Sequence, residues 1–478
     1  MTSIEAVALR CILPGFEGMR APDWVLRRAA EGLGGVILFA RNFESKAQLT
    51  GLAAELHGAR PGLLVCIDEE GGDVTRLEAR TGSSYPGNLA LGVADDVSLT
   101  RDVAAAIGAE LAACGIDLNL APVADVNSNP QNPVIGVRSF GSNAAAVARH
   151  TAAYIEGMQD AGVASCAKHF PGHGDTAIDS HLDLPVVAED PHLRAPGPFA
   201  SAIERGVQSI MSAHVVVSAF DDAPATLSPR IMTGLLRDEL GFQGLAITDG
   251  LEMQGLSRGI GIAEGAVQAL IAGCDALCIG GGCADEGVVD EIVDAVAAAV
   301  ARGRLGESRL REAASRVDAV AAWRAARVGG VAPRGDAGAV AARLAIRAHG
   351  AVKVGPDAAV LRFESTASIA AGDVPWGVGG ALAARGVRVT AVDVDPAAHD
   401  LAVLLDESNG RSLVLVVRDL HRRPEQAVMV DALLARRPDA ILVEMGVPIC
   451  RPRGAIAYIA THGSARVCAE AAAEVLRA

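Results

Sequence analysis

What most narrows the folds open to this chain is a rhythm of short apolar runs. They are VALRCIL (residues 7–13), GGVILF (34–39), LLVCID (63–68), IDLNLAPV (116–123), VASCAK (163–168), QSIMSAHV (208–215), LAITD (245–249) and ALCIGG (276–281). The segments between them are rich in alanine and long enough for helices, for example residues 100–113 and 144–161. Strands that are apolar throughout are buried on both faces, and strands separated by helices pair in parallel. Eight such units over residues 1–325 predict an α/β fold of the (β/α)8 TIM-barrel type. An open doubly wound sheet has the same rhythm and is the other arrangement to consider.

The barrel reading has a consequence for chemistry, because polar residues recur where the runs end. Asp68 follows LLVCI and is trailed by Glu69, Glu70, Gly71 and Gly72. Asp125 and Asn127 follow NLAPV, Lys168 and His169 close the fifth run, His214 the sixth, and Asp249 follows LAIT. In a barrel these positions share the C-terminal face, where active sites are built. The richest stretch is ASCAKHFPGHGDTAIDSH (164–181), in which a buried strand breaks into a loop carrying three histidines. Asp179 and His181 lie two residues apart, so in extended backbone they face the same way. A carboxylate that holds an imidazole makes a general acid/base, with a rate effect of roughly 10²–10⁴. Lys168, Arg76 and Arg138 add cationic donors, and Asp68 and Asp249 add carboxylates. Donors and acceptors in this ratio, with no phosphate-cradling loop, suit a neutral polyhydroxylated ligand such as a sugar. A metal site is the competing chemistry, from His169, His173, Asp175, Asp179 and His181 or from Cys274, Cys278 and Cys283. The HxxxH pair, however, runs through Pro and Gly and shares no helical face, and the cysteines lack CxxC spacing. No metal and no cofactor is expected.

At 478 residues the chain is too long for one core. The texture changes after residue 325: residues 326–337 read as a linker rich in Gly, Pro and Arg, and 338–478 as a smaller α/β domain. Within it, GVGGALAARGVRVTAVDVD (377–395) has part of a dinucleotide fingerprint, with Asp393 at the ribose position. The third glycine is displaced and the DVPW before it is no strand, so nucleotide binding is not expected. A net charge of −15 offers nothing to nucleic acid or an anionic membrane surface. No apolar run is long enough to span a bilayer, and the start of the chain has no signal-peptide pattern. Nine cysteines scattered singly read as buried thiols in a reducing compartment, so a cytoplasmic location is expected.

The loop KHFPGHGDTAIDSH closely resembles the signature of the β-N-acetylglucosaminidase branch of glycoside hydrolase family 3. IDEEGGDVTRL (67–77), NPVIGVRSFG (132–141) and AITDGLEM (246–253) resemble that branch's other motifs, in the same order. The likeness covers residues 1 to about 325, and the remainder resembles the second domain of two-domain members. The resemblance implies a barrel and a retaining mechanism. Asp249 would be the nucleophile, His181 the acid/base and Asp179 its partner, while Asp68, Arg76, Arg138, Lys168 and His169 would hold the sugar. Gly250 departs from the pattern, since many members carry a side chain there. The expected activity is that of a retaining exo-β-N-acetylglucosaminidase on small N-acetylglucosamine-containing glycosides, cell-wall muropeptide fragments in particular. A phosphorylase with the same first half-reaction is one alternative. A non-catalytic sugar-binding protein is another, although binding alone needs no nucleophile.

Overall fold

A computed structural model describes residues 3–179, 183–187, 197–280, 285–327, 334–365, 369–449 and 451–477. The chain divides into two compact units. The first comprises Met1–Glu69, Thr100–Ile135 and Ser142–Arg334, and the second Glu70–Leu99, Gly136–Gly141 and Gly335–Ala478. The stretch expected as a linker is therefore divided at residues 334 and 335, and its residues 328–333 lie outside the described ones.

Beside a small parallel pair, Val186–Val187 with Val216–Val217, the first unit builds its main sheet from eight short strands among the described residues, β1 (Ile12–Pro14), β2 (Gly35–Leu38), β3 (Leu64–Ile67), β4 (Leu118–Asn119), β5 (Ala164–Phe170), β6 (Ser209–Ser212), β7 (Leu245–Ile247) and β8 (Leu277–Ile279). Strands β2 to β7 form one parallel sheet in chain order, and β1 pairs with β8 in parallel. A parallel bridge between Ile247 and Ala276 carries the sheet from β7 to β8. Gly34 N donates to Leu9 O just ahead of β2 and β1, which brings the ring round on itself. This is the (β/α)8 TIM-like architecture, with every residue of β1 to β8 buried. Side chains of alternate strand positions, among them Leu13, Ile37, Leu64, Cys166 and Ile247, fill the interior together with Val317 and Val320 of the helix Glu307–Ala325. Each fully buried Leu or Ile contributes about 1.5–3 kcal/mol to that core. At the N-terminal ends the polar groups are structural: the fully buried Asp275, just before β8, accepts from Arg237, Arg309, Arg316 and Ala246 N.

Each of the eight apolar runs contains a strand, but two are shorter than expected. In VALRCIL, Val7–Arg10 belongs to the helix Ile4–Arg10, and the strand starts only at Ile12. Ser3 caps that helix by accepting from Ala6 N, a local bond that an apolar run cannot reveal. In IDLNLAPV only Leu118–Asn119 is strand, because Pro122 has no N–H to extend a central ladder.

The second unit holds a six-stranded sheet of β9 (Arg347–His349), β10 (Asp357–Phe363), β11 (Arg388–Val394), β12 (Ser412–Val417), β13 (Ile441–Glu444) and β14 (Ala457–Ala460). Its spatial order is β9–β14–β13–β12–β10–β11, parallel except for the antiparallel edge strand β9. Apolar clusters cover both faces: Val360, Val414 and Ile459 lie on one side, and Leu361, Leu415 and Leu442 on the other. The chain runs outward from β10 to β11, then returns to place β12 on the other side of β10. That reversal makes a topological switch point. Asp393, at the ribose position of the weak fingerprint, is held by both arms of Arg362 at 2.7 and 2.8 Å. Residues 70–99 pack within this unit. Asp73 accepts from Arg418 and from Ser464 N and Oγ, and Arg466 reaches Glu78 at 3.1 Å.

Candidate active site

Strand β5 and the loop after it supply most of the polar groups that the sequence singles out in the first unit. Lys168 and His169 reach different partners. Lys168, with its side chain 3% exposed, extends its ammonium to Asp68, which follows β3, at 2.7 Å. His169 instead donates from Nδ1 to Asp125, beyond β4, at 2.7 Å. The Asp125 carboxylate also accepts from His169 N at 3.3 Å and from His173 N at 2.7 Å. This buried carboxylate is the anchor of the loop. Burial pushes its pKa up, but the adjoining His169 and His173 outweigh that and hold it below the ordinary carboxyl value. Burial also drives the His173 imidazole down to about 4, so His173 is neutral at pH 7.

The rest of the loop is fastened by Asn132, whose Nδ2 donates to His173 O at 2.8 Å while its Oδ1 accepts from Val134 N and Ile135 N. Thr176 Oγ1 lies 2.8 Å from His173 Nδ1. Gly174 is required here, since a Cβ would lie 1.7 Å from Val126 O. Asp179 follows, half-exposed, and accepts from Asp183 N. His181, expected to form a dyad with it, lies outside the described residues.

Asp249 stands two residues beyond β7, partly exposed, with Oδ1 accepting from Gly250 N at 2.8 Å. Its flanks are pinned. Thr248 Oγ1 accepts from Cys278 N, and Leu251 N donates to Cys278 O. His214, at the end of the sixth run, reaches Gly250 O through Nε2 at 2.9 Å and Thr226 Oγ1 through Nδ1 at 2.9 Å. A carbonyl can only accept, so Nε2 carries a proton, and Thr226 Oγ1 itself donates to Ala213 O. The backbone after Asp249 is thus held by the His214 imidazole through its Nε2–H. Gly250 meets Glu252, where a Cβ would sit 3.0–3.2 Å from the carboxylate, and Glu252 Oε1 accepts from Gly280 N. A side chain at 250 would need Glu252 to move.

Asp68, Lys168 and Asp249 share one electrostatic neighbourhood. All three act on the Cys166 thiol, which burial pushes up to about 12, and Asp249, Asp68 and Glu252 act on Cys278. Asp249 also acts on His173. Asp68 and Asp249 therefore lie near both thiols, with Lys168 near the first and Glu252 near the second, at the C-terminal end of the parallel sheet. That set can offer an oxygen nucleophile and several hydroxyl contacts.

Arg76 and Arg138 belong to the second unit. Arg138 is not the open donor that the sequence suggests. It is 8% exposed and locked onto Glu70 at 3.0 and 2.8 Å, while its carbonyl accepts from Asn88 Nδ2. Two buried opposite charges engage each other first, so any ligand contact must come from what geometry that pairing leaves. Arg76 donates to Ala370 O at 2.9 Å. The sequence reading assigned no role to Asp125, His214 or Glu70. The first two stand at strand ends, which was a signal; Asn132 carried none.

A family model described as the glycosyl hydrolase family 3 N-terminal domain matches residues 24–320, more than half of the chain. Beta-hexosaminidase A from Pseudoalteromonas piscicida is 40% identical over 269 residues, 51% of this chain and 45% of that protein, so the chain spans about half of this relative's length. A beta-hexosaminidase from Nitrosomonas eutropha is 39% identical over 55% of this chain and 76% of its own length. Among solved structures, a glycoside hydrolase family 3 beta-N-acetylglucosaminidase from Paenibacillus matches with a TM-score of 0.90 and 34% identity over 100% of this chain and 97% of its own. A beta-N-acetylhexosaminidase from Beutenbergia cavernae matches with a TM-score of 0.61 and 32% identity over 67% of this chain and 98% of its own. Strand order, the polar set at the strand ends and these matches agree: the chain belongs to glycosyl hydrolase family 3.

Proposed function

We propose that the protein is a retaining exo-β-N-acetylglucosaminidase. It acts on small β-N-acetylglucosaminides, with imported cell-wall muropeptide fragments as the natural class and the cytoplasm as the place. Asp249 attacks the anomeric carbon and the leaving oxygen takes a proton from His181, which Asp179 orients. Water, deprotonated by His181, then releases the sugar from Asp249. Asp68, Lys168 and His169 hold sugar hydroxyls. The observation that carries the reading is the shared electrostatic neighbourhood of Asp249, Asp68 and Lys168 at one end of the sheet, in a chain about 40% identical to proteins named beta-hexosaminidase. Among the described residues no helix is long and apolar enough to cross a membrane.

Retention needs a carboxylate that forms and then loses an ester to the sugar. Asp249 suits this, because it stands just past a barrel strand and Gly250 N steadies one of its oxygens. A histidine acid/base, with an ordinary pKa of about 6.5, donates and accepts near neutral pH without heavy burial. Unlike a carboxylate it does not repel an anionic acceptor, so phosphate can compete with water as a matter of charge. The test is release of nitrophenol from a panel of β-glycosides, with and without millimolar phosphate, together with trapping by a fluorinated sugar. The N-acetylglucosaminide should react fastest, and the mass adduct should lie on the peptide holding Asp249. An adduct elsewhere, or full turnover in Asp249→Ala, refutes the assignment; N-acetylglucosamine 1-phosphate as the main product makes the enzyme a phosphorylase.

A further inference from the structure

Where the chain leaves β7, it is held from both sides. On the β8 side, Cys278 N donates to Thr248 Oγ1, Leu251 N donates to Cys278 O, and Gly280 N donates to Glu252 Oε1. On the β6 side the backbone ladder stops at Met211 and Ile247. Beyond that point a side chain reaches across: His214, two residues past β6, donates from Nε2 to Gly250 O at 2.9 Å. Asp249 lies between these supports.

The planar peptide unit that joins Gly250 to Leu251 is therefore gripped at both ends. Its carbonyl accepts from His214 and its N–H donates to Cys278 O at 3.0 Å, so the plane cannot turn without breaking a bond. The same carbonyl accepts from Met253 N at 3.0 Å, but that bond lies within the turn and moves with it. The grip matters because of the residue on which it falls. Gly250 has no Cβ to restrict its backbone. Its N–H is also the group that steadies Asp249 Oδ1, at 2.8 Å. A freer Gly250 would move that N–H, and the carboxylate with it. His214 is itself braced: it is fully buried, and its Nδ1 meets Thr226 Oγ1, which in turn lies 2.8 Å from Ser212 Oγ.

We propose that His214 is a positioning residue for Asp249. By holding Gly250 O it sets the direction from which the Asp249 carboxylate meets the anomeric carbon. The inference rests on the reading of Asp249 as the nucleophile. His214 is buried beneath the turn and touches no sugar, so its loss should slow the chemical step and spare sugar binding. A nucleophile misplaced by about 1 Å can cost about 100-fold in rate.

Two amide variants separate the two hydrogen bonds of the ring. In His214→Gln the amide overlays the Nε2 position and still donates to Gly250 O, while the bond to Thr226 is lost. In His214→Asn the amide overlays the Nδ1 position, so the bond to Thr226 stays and Gly250 O is out of reach. His214→Phe keeps a ring and has no donor. Each full-length variant is checked for folding by circular dichroism. Three quantities are then read: the rate at which a fluorinated N-acetylglucosaminide forms its adduct on the Asp249 peptide, kcat for a nitrophenyl N-acetylglucosaminide, and the inhibition constant of N-acetylglucosamine. Asn and Phe should lower the adduct rate and kcat by about 100-fold, with the inhibition constant within about twofold of the parent. Gln should stay within about tenfold of the parent rates. The proposal is overturned if Asn and Phe react like the parent, if Gln is as slow as Asn, or if sugar affinity falls in step with the rate. It is equally overturned if neither Asn nor Phe folds, since His214 is then a residue of the core alone. A parent enzyme whose adduct lies on another peptide refutes the nucleophile assignment instead.

Discussion

Replacing Asp125 tests the account of the β5 loop most directly. Its carboxylate is 1% exposed and serves three donors: the His169 imidazole at 2.7 Å, His169 N at 3.3 Å and His173 N at 2.7 Å. In Asp125→Ala all three are left in the interior without an acceptor. Each costs about 1–3 kcal/mol, which implies a loss on the order of 5 kcal/mol. That is a large part of a typical domain stability of about 5–15 kcal/mol. Asp125→Asn keeps one acceptor oxygen but turns an N–H towards a donor, so about half that loss is expected. Urea unfolding followed by far-ultraviolet circular dichroism ranks the three proteins. Activity should drop in the Asn variant even where it is folded, because His169 no longer has a fixed ring orientation. The reasoning fails if Asp125→Ala is within about 1 kcal/mol of the parent, or if Ala and Asn cost the same. Either result would mean that water or a neighbour replaces the carboxylate freely.

Two further outcomes are expected. Because His173 is driven down to about 4 from an ordinary 6.5, the unfolded chain binds the extra proton between those values. Stability is fully present above about pH 6.5 and falls by about 3 kcal/mol towards pH 4; melting temperatures of the parent and His173→Asn across that window check it, and equal pH slopes refute it. In the second unit, Arg138→Ala strands the buried Glu70 charge and should cost about 3–5 kcal/mol, whereas Arg138→Met combined with Glu70→Leu should recover most of it. Denaturant midpoints decide this, and no recovery in the double variant would show that the pair is not the cause.

The rhythm of the chain was enough for buried parallel strands, whereas their closure into a barrel and not an open doubly wound sheet appears only in the pairing of β1 with β8. Runs such as LLVCI and LAI are apolar at every position, which only a strand buried on both faces tolerates, and the helices between them leave no room for hairpins. Strand ends were equally legible: Asp68, Lys168 and Asp249 stand where a local pattern stops. What a residue does after its strand ends was not legible, because its partner is remote in sequence. Arg138 looks like a free donor until Glu70, 68 positions away, is found beneath it. Asp125 looks like one more rim carboxylate until residues 44 and 48 positions on converge upon it. The short runs were ambiguous for a different reason: the seven residues of VALRCIL fit a buried helix as well as a strand, and over Val7–Arg10 a single cap at Ser3 decides. The strand order of the second unit was the least visible of all. There β12 pairs with β10 instead of β11, and strand order is settled only when the whole sheet competes for its edges. Local chemistry is written along the chain, but which groups meet is set by packing across it.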